Sequence, residues 1–506
     1  VSSDEVMSTP IDEAAARFDQ ARARLALFVG PLAFLLLWTL PLPLEAAAHP
    51  VEAQRLAAIM ALVVAFWIGE PIPVAATALL GPTLCVVLGA VPGAKAQDCA
   101  RLAFAQFGNP ILMMFIGGFF IAEAMTVHGL DRRFAMRVLS MRLLGSSPRN
   151  MVIGLGVCAC AMSMWISNTA TTALLIPIAT GMLAVARGGA PPGKLDAVCM
   201  LMIPFAATVG GLGTPVGTAP NLIGLSQLEN LTGVRVPFLG WMALTLPLVL
   251  AMLVCLAVLL TRGLPTTGVD LRAHAAAEHA RLGPWRRGEL VTASAFAVAV
   301  GLWMASGLAQ LDRGGPIGTW FERHLPEGAV ALLAASILFV IPAAPGRPTL
   351  TWREAARIDW GTLLLLGGGL ALGDLMSRTG LAEVIDEGVV ESLGIRSVWG
   401  LTALAAVMAI ALSELTSNTA TATILVPVVI GIAKEAGVSP LPPALGATFA
   451  CSFGFMLPVS TPPNALAYAT GKVPITYMAR RGAVFDVIGA VIIVAGLWAM
   501  WPWLGV

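Results

Sequence analysis

Long apolar runs, parted by short polar or charged segments, organise this sequence. An apolar run of roughly 20 residues is enough to cross a bilayer as a helix. Runs near 25–43, 55–69, 72–92, 109–128, 196–226, 238–261, 290–309, 327–343, 361–378, 442–470 and 483–504 fit that pattern. They predict about eleven spans. Two further apolar regions, 151–186 and 398–433, are too long for one ordinary span. Each carries a polar tract near its middle, Ser167-Asn168-Thr169 in one and Ser417-Asn418-Thr419 in the other. Each reads as a re-entrant hairpin of two half-helices, about 14 residues and about 21 Å apiece. Such a tip ends at membrane depth, where irregular backbone needs cover from protein or a water-filled cavity. The fold class expected is an all-α polytopic membrane protein with two re-entrant hairpins.

The polar tracts belong to a longer duplication. Ser167-Asn168-Thr169-Ala170-Thr171 returns as Ser417-Asn418-Thr419-Ala420-Thr421, and Ser163, Pro177 and Gly181 return at the same offset as Ser413, Pro427 and Gly431. Upstream, Gly117-Gly118, Met125 and Gly129-Leu130 match Gly368-Gly369, Met376 and Gly380-Leu381. Downstream, Gly217-Thr218-Ala219-Pro220-Asn221 matches Ser460-Thr461-Pro462-Pro463-Asn464. Units of about 110–240 and 361–490 are therefore homologous. Each holds an odd number of spans, so the two insert upside down relative to each other. A site shared by two inverted halves is the layout of a secondary transporter.

Composition narrows the class. Of 506 residues, 57% are hydrophobic and only 12% charged, against about 25% charged in soluble domains. No basic stripe with interleaved aromatics suggests a nucleic-acid partner. The seven cysteines show no metal-ligand spacing with histidine. Residues 1–21 carry Asp4, Glu5, Asp12 and Glu13, unlike a cleavable leader. Basic residues orient the spans: Arg132, Arg133, Arg137, Arg142, Arg149, Arg262, Arg272, Arg281, Arg286 and Arg287 share one side. That bias places the N-terminus in the cytoplasm and the C-terminus outside, in an inner (plasma) membrane. The expected organisation is a cytoplasmic segment 1–21, scaffold spans 22–108, a first repeat 109–261, a cytoplasmic linker 262–289 and a second repeat 290–504. The segment 130–145 reads as an interfacial amphipathic helix.

The tips suggest the chemistry. If each second half-helix starts just after Ser-Asn-Thr, those residues cap its N-terminus. A helix N-terminus offers free N–H groups and positive partial charge to an anion. Two such ends converging from opposite sides would clamp an anion with a carboxylate at each end. Ser163 and Ser167, like Ser413 and Ser417, are spaced to share a helix face. Their oxygens, with carbonyls freed where 210–221 and 457–464 break their helices, suit a small hard cation. Neither tract contains a charged side chain; Glu414 is the nearest. Bound Na⁺ would supply the counter-charge and couple the two fluxes, with proton coupling through Glu414 or Glu123 as the other route.

Two such hairpins, each followed by a Gly/Ser-Thr-x-Pro-Asn tract, resemble the divalent anion:sodium symporter family. The similarity covers nearly the whole chain. It implies a homodimer with a scaffold and an elevator-like transport part, carrying C4-dicarboxylates such as succinate, malate or fumarate with Na⁺. By the same resemblance, one Na⁺ site would use Ser163, Ser167, Asn168 and Gly217, and the other Ser413, Ser417, Asn418 and Ser460. Substrate would meet Ser167, Asn168, Thr169, Thr218, Ser417, Asn418, Thr419, Thr461 and Pro462. Ala219 departs from the family's usual Pro, with a looser first turn as the expected effect.

Other residues point to structural roles. Glu123 and Asp374 occupy nearly matching span positions, open to a functional or a helix-end role. Gly367-Gly368-Gly369 fits close helix packing, and Trp165 fits packing under a hairpin tip. A sodium-independent carboxylate exchanger and a sulfate symporter stay open as alternatives. An intramembrane hydrolase is disfavoured, because no HExxH and no serine with a histidine at membrane depth is present; the expectation is a transporter and not an enzyme.

Overall fold

The computed structural model describes residues 10–44, 47–93, 95–141, 147–187, 191, 193–264, 272–310, 315–381, 384 and 397–503. Asp4, Glu5 and Arg142 lie outside them. The described chain is almost entirely helical, with one short hairpin of β1 (Pro342–Ala344) and β2 (Arg347–Pro348).

Four helices come first: α1 (Pro10–Thr39), α2 (Pro50–Gly69), α3 (Val74–Val87) and α4 (Ala96–Phe104). The first repeat is α5 (Pro110–His128), α6 (Leu130–Leu139), a hairpin of α7 (Pro148–Ser163) and α8 (Asn168–Arg187), a broken pair α9 (Lys194–Gly211) and α10 (Ala219–Thr232), and α11 (Phe238–Thr261). The connecting part holds α12 (Arg272–Arg281), α13 (Arg287–Ala309), α14 (Pro316–His324), α15 (Glu327–Val340) and α16 (Trp352–Ala355). The second repeat follows as α17 (Trp360–Thr379), a hairpin of α18 (Val398–Leu415) and α19 (Asn418–Glu435), a broken pair α20 (Leu441–Ala450) and α21 (Pro462–Ala469), and α22 (Ile475–Met500).

Among the described residues ten helices are long and apolar enough to cross a membrane. One arm of each hairpin is among them, while α3 and α15 are shorter apolar helices. The expected spans 196–226 and 442–470 are each two helices parted by a break, as their Gly and Pro content suggested. The hairpin arms are longer than the half-helices expected, at 16, 20, 18 and 18 residues. Large apolar side chains face outward, among them Phe28, Leu32, Val87, Val254 and Val487. With backbone groups paired inside helices, this surface suits hydrocarbon, and the chain is a multi-pass membrane protein.

The repeats pack reciprocally. α10 packs on α19 of the other repeat, and its counterpart α21 packs on α8. α3 packs on α17, while α15 packs on α5. Matching glycines make the second exchange possible: a Cβ on Gly117 would strike the Ala331 backbone, and a Cβ on Gly368 would strike the Ala78 carbonyl. Small residues let helix backbones approach closely where no water drives association. Gly369 likewise abuts Thr423 and Gly367 abuts Phe107, the packing role expected of that tract.

Two surface expectations change. α6 is amphipathic, but it is clamped rather than free: Arg133 is buried, and its Nη2 lies 3.0 Å from both Glu289 carboxylate oxygens. Its Nη1 donates to the Gly283 carbonyl, its Nη2 also approaches the Leu282 and Pro284 carbonyls, and Trp285 lies against its face. The linker is partly helical too, with α12 packed on α6.

Candidate functional site

Both polar tracts sit where a hairpin turns. Each second arm begins at the asparagine, not after the threonine as expected. Ser167 and Ser417 are the residues before, with Oγ accepting from the Ala170 N–H at 3.2 Å and the Ala420 N–H at 3.4 Å. Serine alone performs the cap, which leaves the asparagine side chains available for other bonds. Ser163 ends α7 while Ser167 lies in the break, so the two do not share a helix face. Ser413 and Ser417 are separated in the same way.

Behind the tips are two serine–asparagine pairs. The Ser163 Oγ donates to Asn168 Oδ1 at 2.5 Å. The Ser413 Oγ lies 2.6 Å from Asn418 Oδ1 and 2.7 Å from the Cys451 carbonyl. Both serines are fully buried. Glycines leave room beside each pair. A methyl on Gly211 would lie 2.8 Å from Asn168 Oδ1, and one on Gly217 would meet the Gly211 carbonyl. In the second half, a methyl on Gly454 would lie 3.2 Å from Ser460 Cβ and 3.3 Å from the Ser413 carbonyl. The structure thus brings together Ser163, Asn168 and Gly217 in one half, and Ser413, Asn418 and Ser460 in the other. Each half is an oxygen-lined cradle, the donor chemistry that hard cations take.

The breaks between α9 and α10 and between α20 and α21 are built alike. Asn221 Nδ2 donates to the Gly211 and Thr214 carbonyls, both at 2.8 Å. Asn464 Nδ2 donates to the Gly454 carbonyl at 2.8 Å and the Leu457 carbonyl at 3.1 Å. These side chains replace the helix bonds that each break forfeits. Sequence reasoning quoted both asparagines without giving them a role; their recurrence one helical turn inside each tract was the available signal. The turn at Ala219 is no looser than its partner. Thr218 sits at φ −151°, ψ 150° and Thr461 at φ −145°, ψ 145°. The difference is confined to the hydroxyl: Thr461 accepts from the Asn464 N–H at 3.4 Å, whereas Thr218 makes no cap bond.

A cavity of about 1560 Å³ joins the halves. Ser167, Asn168, Thr169, Thr218, Ser417, Asn418, Thr419, Thr461 and Pro462 all line it, with Gly217 and Ser460. The first residues of four helices stand on its wall: Asn168 of α8, Ala219 of α10, Asn418 of α19 and Pro462 of α21. Sequence reasoning foresaw two such ends. Each carries roughly half a positive charge, so four offset about two negative charges. Ser163 and Ser413 lie behind the wall.

The halves differ in charge. Glu414 is buried; its Oε1 accepts from the Met456 N–H at 2.8 Å and its Oε2 from the Ser460 Oγ at 2.7 Å. The matching positions in the first half are Met164 and Gly217. There, the Thr214 hydroxyl donates to the Met164 carbonyl at 2.5 Å. Glu123 does not line the cavity. Asp374 pairs with Arg378 of its own helix at 2.7 Å, a helix-end role. Trp165 stands edge-on to Phe296, ring centres 4.9 Å apart, and lines the cavity beside the first tip. Among the described residues no cluster of three His, Cys, Asp or Glu could hold a metal.

Known proteins match this arrangement. A family model described as the sodium:sulfate symporter transmembrane region matches residues 22–506. A sodium-dependent dicarboxylate transporter, SdcS, of Staphylococcus saprophyticus is 32% identical, covering 94% of this chain and 91% of its own length. Its counterpart from Staphylococcus aureus is 31% identical over the same shares. In fold, the chain is similar to the YdaH transporter of Alcanivorax borkumensis, at TM-score 0.53 and 16% identity over 80% of this chain and 88% of that one. It is also similar to MtrF of Neisseria gonorrhoeae, at TM-score 0.55 and 12% identity over 88% and 97%. A match across nearly the whole chain, on the halves that carry both hairpins and both cradles, places this protein in the sodium:sulfate symporter family, the divalent anion:sodium symporters.

Proposed function

We propose that this chain takes up a C4-dicarboxylate such as succinate, malate or fumarate together with Na⁺. The observation that carries the reading is the convergence of four helix N-termini on one cavity, with an oxygen-lined cradle behind each hairpin tip. The relatives' names support the same cargo. A dianion would lie between the tips, one carboxylate on Ser167, Asn168 and Thr169 and the other on Ser417, Asn418 and Thr419. Thr218, Thr461 and Pro462 flank it.

Na⁺ is the second cargo. One ion would take oxygens of Ser163, Ser167, Asn168 and Gly217; the other would take those of Ser413, Ser417, Asn418 and Ser460. Neither polar tract contains a lysine or arginine, so a bound cation would offset the anion's charge there. At an effective dielectric of 20, two unit charges 4 Å apart attract by about 4 kcal/mol. An attraction of that size makes anion binding depend on the ions. The hairpins, broken helices and α11 with α22 would form the moving part, carried past a scaffold that includes α1–α5, α13, α15 and α17 in a homodimer. The N-terminus is assigned to the cytoplasm of an inner membrane, which makes the cavity mouth beside Arg22, Glu70 and Asp359 cytoplasmic.

Labelled succinate uptake into proteoliposomes tests the reading, with an inward Na⁺ gradient against a K⁺ control. Concentrative uptake with Na⁺ alone is expected. Uptake that needs internal carboxylate instead of Na⁺ would mark an exchanger. The family description names sulfate, so excess sulfate is included as competitor; displacement of succinate by sulfate would widen the substrate class to small divalent oxyanions.

A further inference from the structure

The cavity wall holds a single cationic side chain among the described residues, and it comes from neither hairpin. Arg22 belongs to α1 and lines the cavity at its mouth. Its Nη1 donates to the Leu415 carbonyl at 3.0 Å, 393 residues along the chain. Leu415 is the last residue of α18, two before Ser417. The bond therefore grips the second hairpin by its turn.

The partner of this grip is built with some strain. Arg22 Nη2 lies 3.7 Å from the Glu70 carboxylate. Glu70 ends α2 at φ 50°, ψ 43°, the only non-glycine residue with positive φ among the described residues. A side chain is held in that region only when its surroundings impose it. Here the Glu70 N–H closes the helix onto the Phe66 carbonyl at 2.9 Å, and Pro71 follows. Gly69 just before it touches α1 so closely that a Cβ there would strike Ala26 and come within 3.1 Å of the Arg22 carbonyl. The end of α2 is thus pressed onto α1 at the residue whose side chain reaches the hairpin.

We propose that Arg22 is a positioning residue for the second hairpin, holding its tip in the conformation seen here through the Leu415 carbonyl, and that this bond breaks in each transport cycle. The proposal rests on the moving-hairpin reading above. The bond has a charged donor, so its loss shifts the balance between conformations by about tenfold without touching cargo.

Two measurements test it. Six of the seven native cysteines are buried, so a cysteine introduced at Val459, a half-exposed residue of the cavity wall, reports access. In Arg22→Gln, maleimide labelling at that position is expected to slow, by up to about tenfold, with Arg22→Lys restoring most of the rate. Unchanged or faster labelling in Arg22→Gln would overturn the positioning role. In Arg22→Cys/Leu415→Cys, a short bis-methanethiosulfonate is expected to link the two sites and stop succinate uptake until reductant is added. No link, or full uptake while linked, would overturn the cycle claim. If the unmodified protein takes up no succinate, the transport reading fails by itself, while labelling and link formation still decide the contact.

Discussion

A hydroxyl, an amide oxygen and a missing Cβ set each cradle proposed for Na⁺. Filling the space is the cleanest perturbation. Gly211→Ala places a methyl 2.8 Å from Asn168 Oδ1, and Gly454→Ala places one 3.2 Å from Ser460 Cβ. Both should raise the Na⁺ concentration for half-maximal uptake, Gly211→Ala more so, while succinate affinity at saturating Na⁺ changes less. Na⁺ titration of uptake reads the difference. Glu414 makes the second cradle unlike the first. As a buried carboxylate it holds the Ser460 hydroxyl and the Met456 N–H at once. Orienting groups behind a ligand commonly change metal affinity by 10–100-fold. Glu414→Gln keeps the shape but removes the charge, and should weaken Na⁺ dependence about tenfold on that basis. An unchanged Na⁺ titration would show that the charge is not felt at the cradle.

At the scale of elements, the broken helices decide where the N-termini point. α10 and α21 start at the cavity because Asn221 and Asn464 hold the breaks open. Each makes two bonds from a fully buried amide. A typical bond contributes about 0.5–1.5 kcal/mol, and orphaned carbonyls add to the loss. Asn221→Ala and Asn464→Ala should each destabilise the protein by about 2 kcal/mol or more, seen as a lower unfolding midpoint in detergent. Uptake should fall even where the protein stays folded, because the helix ends lose their aim. The hairpin breaks were legible in the sequence as polar tracts inside apolar runs. Their capping register was not. A two-residue shift in where a helix begins costs little locally, and packing of the arm against its neighbours chooses it.

The whole molecule is two intertwined halves. α10 of one half lies on α19 of the other, α21 lies on α8, and α3 and α15 are exchanged onto α17 and α5. Because one cavity touches both cradles, cargo bound there as proposed would tie the halves together. Bound cargo should therefore stabilise the entire protein. With both Na⁺ and succinate at 100 times their dissociation constants, each independent site adds about 2.7 kcal/mol. The unfolding midpoint in Na⁺ plus succinate should exceed that in K⁺ plus succinate, and Na⁺ alone should give part of the rise. An equal midpoint in Na⁺ and K⁺ would oppose cation binding in the cradles.

By itself the sequence determined the class, the internal duplication and the residues at the tips. These are written in local composition: apolar length sets membrane crossing, and a polar tract repeated at one constant offset marks a shared site. Ser163, Asn168, Ser413 and Asn418 were identifiable for that reason. Tertiary structure alone decided that four helix ends, not two, face the cavity, that Glu414 reaches Ser460, and that Arg22 meets Leu415. Each of these joins segments far apart in the chain. Their distances depend on how twisted, glycine-faced helices pack, and no local pattern of residues encodes the sum of those contacts.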